Sequence, residues 1–131
     1  MYSNLLAQRA GAAERKGESD QEFECIKRIM EAKPLNDLAY AAVAWFYASS
    51  PEARYRNGKK AVEYAEKAVS LKRHYAHLDT LAAAYAEAGD FAKAVSIQEE
   101  AIRLCDSQLK GDFGERLALY QSQRPYYRKP R

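Results

Sequence analysis

Apolar residues recur along the chain every three or four positions, and residues that start or stop helices stand between the recurrences. Leu6, Ala10 and Ala13 make a first stripe, which Gly17 is expected to end. Ser19 or Asp20 then opens a second helix with Phe23, Ile26, Ile29 and Met30 on one side, and Pro34 closes it, so the pattern predicts a helix hairpin. From Asn36 or Asp37 to Ser49 the chain is apolar around much of its circumference, through Leu38, Tyr40, Ala41, Val43, Ala44 and Tyr47, as in a helix covered on more than one side. Ser50-Pro51-Glu52-Ala53 reads as a capped turn, and a fourth helix from about Lys59 to Lys72 turns Ala61, Val62, Ala65, Ala68, Val69 and Leu71 inward. A fifth helix, near 75–88, meets the turn Gly89-Asp90; a sixth, 91–105, faces inward with Ala94, Val95, Ala101, Ile102 and Leu104. Leu109, Phe113, Leu117 and Tyr120 align on a seventh over about 107–123, its start weakened by Gly111 and Gly114. The tail after Pro125 has no helical period and is expected to be loosely held, its tyrosines covering the last hairpin.

The helices repeat. A shift of 38 places Tyr40, Val43, Ala44 and Tyr47 on Leu78, Leu81, Ala82 and Tyr85, and a shift of 33 places Ala61, Ala68, Val69 and Leu71 on Ala94, Ala101, Ile102 and Leu104. The difference is a five-residue insertion in the turn at Pro51 to Asn57. Self-similarity at this period marks stacked helical units, which hold other molecules more often than they transform them.

Leu81, Ala82, Tyr85, Gly89, Phe91, Ala94 and Ala101 resemble the tetratricopeptide repeat, a helix-turn-helix of about 34 residues in which alanines let helices approach and aromatics fill the space between. A middle unit matches through Val43, Ala44, Tyr47, Ala61 and Ala68; the first keeps Leu6, Ala10, Gly17 and Pro34 but has Glu22 where an alanine belongs. Ala44-Trp45-Phe46-Tyr47-Ala48 and the Arg-Tyr-Arg-Asn-Gly-Lys turn also look like a bacterial subtype. The resemblance implies an all-α fold in one domain, residues 1–124: a right-handed α-solenoid of about three hairpins (2–34, 35–73, 74–106), capped by a seventh helix and followed by a basic tail, 125–131.

Composition adjusts this picture little. A net charge of +3 is distributed as a basic middle, an acidic third quarter and a basic tail, with no continuous stripe for a phosphate backbone, so nucleic acid is disfavoured. Cys25 and Cys105, eighty positions apart, read as reduced thiols with some burial. Neither a signal-like nor a membrane-spanning apolar run is present, and a cytoplasmic location is expected.

By the resemblance, a peptide would lie in the concave groove along the first helix of each unit, at Gln8, Leu38, Ala41, Ala42, Trp45, Asp79, Thr80, Ala83 and Glu87. Trp45 stands out as a large amphipathic ring, to be weighed against simple packing under the seventh helix or the inserted turn. The carboxylate-clamping cations of chaperone-binding members are missing, since the matching positions hold Gln8, Ala42, Trp45 and Thr80. Arg54, Arg56, Lys59 and Lys60, with Tyr55, form a secondary basic patch, to be weighed against a solvated turn with Tyr55 folded inward. His74, His77 and Asp79 lack further convergent ligands, so no metal is expected. With no catalytic constellation or phosphate loop, the expectation is a non-enzymatic, cofactor-free module that binds a protein or peptide. The alternative is self-association as a homodimer, or docking within a larger protein.

Overall fold

The computed structural model describes the backbone of residues 4–129 and the side chains of residues 17–129. All regular structure among them is helical: α1 (Asn4–Glu31), α2 (Asp37–Ser49), α3 (Gly58–Leu71), α4 (Tyr75–Glu87), α5 (Phe91–Leu104) and α6 (Lys110–Gln121), with 3-10 turns at Ala53–Tyr55 and Ser107–Leu109.

The first two expected helices are one. Gly17 terminates nothing, because ending a helix there would require a left-handed backbone that Gly17 does not adopt, while a glycine inside a helix costs only about 1 kcal/mol. The chain therefore has six α-helices among the described residues instead of seven, and its first unit is no hairpin. The expected stripe of this helix survives: Ile26 is buried, and Phe23, Ile29 and Met30 pack beside it against α2.

The next two units follow the pattern. Asn36 and Asn57 cap α2 and α3 through their side chains, and Asp90 caps α5. Gly89, at φ 89°, ends α4, with the Asp90 amide on the Tyr85 carbonyl and its own on that of Ala86. Ala44, Ala61, Ala65 and Ala68 in one hairpin, and Ala82, Ala94 and Ala101 in the next, have no exposed surface, which lets the helix backbones approach closely. α2 packs on α3 and α4, α3 on α4, and α4 on α5. Leu71 and Leu104, expected inward, are 59% and 54% exposed: each is the last residue of its helix, a turn beyond the buried alanine that makes the crossing. Cys25 is exposed and Cys105 buried.

α6 begins after the 3-10 turn and lies on α5, burying Phe113 and Tyr120. It ends as α4 does, with the Arg124 amide on the Leu119 carbonyl and the Gln123 amide on that of Tyr120, but the left-handed position is filled by Gln123 at φ 58°. That turn sends the chain back over α4 and α2 toward α1, and no helix among the described residues is long and apolar enough to cross a membrane.

Candidate functional site

α2 and α4 lie side by side, and their shared face is covered from two directions. α6 covers the α4 half. Its Arg116 extends a planar guanidinium to Asp79, with Nε donating at 2.9 Å to Oδ1 and Nη2 at 3.1 Å to Oδ2, while Gln98 of α5 donates at 2.9 Å to the same carboxylate and at 3.0 Å to the Phe113 carbonyl. Such a fork orients both partners as well as pairing their charges. Burial raises the Asp79 carboxyl above its ordinary range, outweighing the stabilisation that Arg116 and Gln98 give its charge. The nearby Tyr120 hydroxyl is pushed far upward, mainly by burial and then by the Asp79 charge.

The segment following α6 covers the α2 half in extended form. The Tyr126 ring stacks on Trp45, centroids 5.7 Å apart, with the Arg116 guanidinium 5.1 Å from the same tyrosine. Tyr127 lies 3.6 Å from the Arg56 guanidinium, and its hydroxyl hydrogen-bonds Glu87 and is raised by burial and by that bond. Arg128 donates its amide to the Ser49 carbonyl at 2.8 Å and Nε to the Ser49 hydroxyl at 3.0 Å. Its two terminal nitrogens grip Glu22 of α1 at 2.9 and 2.8 Å. Arg56 adds a bond to the Ser50 carbonyl at 2.7 Å, so two arginines meet the carbonyl end of α2, where the helix dipole favours positive charge.

The residues named from the sequence divide accordingly. Trp45 and Glu87 face the covering segment, so Trp45 is half-buried under Tyr126. Asp79, Thr80 and Ala83 are buried: Asp79 is occupied by Arg116 and Gln98, the Thr80 hydroxyl by the Ala76 carbonyl, and Ala83 belongs to the core. Leu38 is 67% exposed and two turns from Trp45, Ala42 is exposed and Ala41 half-buried. The Gln8 side chain lies outside the described residues. The basic patch is dispersed: Arg54 pairs with Asp20 and Glu52, and Arg56 belongs to the face above, while Lys59 and Lys60 are exposed, with Lys60 5.5 Å from the Tyr47 ring. Tyr55 is folded inward between Phe23 and Phe46, its hydroxyl on Asp20, and so fastens α1 to the inserted turn. His74 caps α4, accepting from the Ala76 amide, and His77 bonds Asp37 at 2.8 Å. The tail expected to be loose is instead held by Trp45, Arg56, Ser49 and Glu22.

Compared with family models, with curated proteins and with solved structures, the chain matches none. The site is therefore read from its own geometry. Arg116, Gln98, Ser49, Glu22 and the Tyr126-Tyr127-Arg128 run escaped the sequence reading as site residues. Two signals were present: Glu22 stands where the repeat calls for alanine, and Gln98 stands where the middle unit has Ala65.

Proposed function

We propose that this chain is a tetratricopeptide-type module, stacked as a right-handed α-solenoid, that binds a peptide or protein segment along the groove formed by the first helices of its hairpins, α2 and α4. What supports the reading is the extended stretch already lying there, met by an aromatic ring, a helix-end carbonyl and a carboxylate in succession. This is how a peptide site works: rigid aromatic anchors give contact area at low entropic cost, and fixed polar groups set register. The part is non-enzymatic and cofactor-free, in keeping with the bacterial, cytoplasmic repeat proteins that the sequence resembles. Titration with a panel of extended peptides, at concentrations that compete with the covering segment, should change Trp45 emission. A folded Trp45→Ala protein that binds them with unchanged affinity overturns the assignment. Exposed Leu38, Leu71 and Leu104 favour self-association as the second reading. Sedimentation over a range of concentrations tests it, and a strict monomer removes it.

A further inference from the structure

The segment that covers the α2–α4 face shows what chemistry the face recognises. Tyr126 is stacked on Trp45, packed against the cluster of Ala82, Ala86, Ala94 and Tyr120, and met by the Arg116 guanidinium 5.1 Å from its centroid, a place for one flat ring. Tyr127 lies on a second cation, Arg56, with Glu87 receiving its hydroxyl, a place for a ring that carries a donor. Ser49 and Glu22 then offer three acceptors in the geometry of one guanidinium, and the Ser49 carbonyl accepts the backbone amide of the same residue. A lysine could reach one of these acceptors but could not span them, because only the planar fork donates to both carboxylate oxygens and sideways through Nε. The three places follow one another at the spacing of consecutive residues in an extended chain. Glu22 is 36% exposed and Tyr127 38% exposed, so the segment rests on the face without being sealed into the core. It leaves α6 through Gln123, held in a left-handed conformation that is unfavourable for a non-glycine residue.

We infer that residues 126–128 are a tethered stand-in for the ligand, and that the face accepts, from another polypeptide, an extended segment of the pattern aromatic–tyrosine–arginine, which must displace the chain's own copy to bind. The inference rests on the peptide-binding reading above and gives it a ligand class and a built-in competitor. Tethering presents the internal copy at an effective concentration on the order of millimolar, so a ligand in trans binds the intact chain far more weakly than it binds the open face.

The test uses the full chain and a fluorescein-labelled peptide copying residues 123–129, followed by polarisation. Wild type should bind it weakly. Two opened proteins, Tyr126→Ala with Arg128→Ala and Arg128→Glu alone, should bind it roughly tenfold tighter or better, with a helical circular dichroism signal equal to that of wild type. A peptide with glutamate in place of its arginine should not bind these proteins, and should regain binding when Glu22→Arg is added to the opened chain. A lysine peptide should be weaker than the arginine peptide. Equal binding by opened and wild-type chains overturns the inference. Equal binding of the parent, alanine-ring and glutamate peptides also overturns it, but leaves a less selective peptide module standing. Failure of the opened chain to bind any peptide of the wider panel removes the module reading itself. Should Arg128→Glu dissociate a wild-type dimer, the segment is exchanged between copies, and a ligand from a different chain is excluded.

Discussion

The α2–α3 and α4–α5 hairpins are two versions of one design, and they differ where each meets its cover. In the shared register Ala41 corresponds to Asp79, Trp45 to Ala83, Gly58 to Phe91 and Ala65 to Gln98. The second hairpin is covered by a helix. There Phe91 joins Tyr120 and Leu119 in a core cluster, and the polar pair Asp79 and Gln98 docks Arg116 of α6, while Ala83 lies in the core cluster shared with α2. The first hairpin is covered by an extended strand of chain, for which Trp45 supplies a platform and the C-terminal carbonyls of α2 supply acceptors. A helix cover is fixed by a buried charge pair and a strand cover by half-exposed contacts, so the first is permanent and the second can be exchanged. Burial makes the difference, since a buried ion loses far more when its partner leaves than an ion in contact with water.

Removing Arg116 breaks the comparison most severely. Arg116→Ala leaves Asp79 buried and unpaired and should cost about 3–5 kcal/mol in urea unfolding. Arg128→Ala, at the half-exposed pair with Glu22, should cost at most about 1 kcal/mol by the same measurement. Equal losses would show that the two covers are not of different kinds.

Gly58 sharpens the comparison sterically. A Cβ there would lie 2.6 Å from the Cα and amide nitrogen of Ala88, backbone that cannot rotate away, whereas the matching Phe91 has room because α5 starts beside the side chains of α6. Gly58→Ala should destabilise by about 1–3 kcal/mol, seen as a lower midpoint of thermal unfolding. The two helix ends make a smaller contrast. Gly89 holds its left-handed position freely and Gln123 does not, so Gln123→Gly should stabilise the fold by roughly 1 kcal/mol, while Gly89→Ala should weaken it by a similar amount.

The smallest effect concerns acid. The hydrogen bond from His77 holds the Asp37 carboxyl below its ordinary 3.8, so this group contributes stability above that value and loses it as pH falls through the folded pKa. Asp79 is displaced the other way: its contribution is full below 3.8 and declines as pH rises through its raised pKa. Asp37→Asn should therefore flatten the acid limb of a stability-against-pH curve, and Asp79→Asn should steepen it, both read from denaturation midpoints between about pH 3 and 6.

What could be read from the sequence was the local part. The alanine rows, the Asn36 cap and the Gly89-Asp90 turn each report on their own neighbourhood, and the structure has them in place. Gly17 misled because glycine is permitted both in a helix and at its end; choosing between the two depended on how α1 packs on Tyr55 and Phe46, residues of distant elements. The covering segment was unreadable for the same reason, since neither Tyr126 nor Arg128 carries a periodic signal and their partners, Trp45 and Glu22, lie at the other end of the sequence. Glu22, at a repeat alanine position, and Gln98, where the other copy has Ala65, were the one long-range clue, because an acceptor or amide at a packing position is stable only with a partner brought to it from elsewhere.

The grip of Arg128 on Glu22 joins residues 106 positions apart. Stacked hairpins ordinarily touch only their neighbours, so such arrays melt piecemeal from the outside. Here the stretch that follows α6 is strapped to the first helix, and fraying of either first has to undo the other. The strap thus adds cooperativity in proportion to how firmly it is seated. Anything that lifts it should increase amide hydrogen exchange in α1 and α6 together, two helices with no extensive packed interface among the described residues.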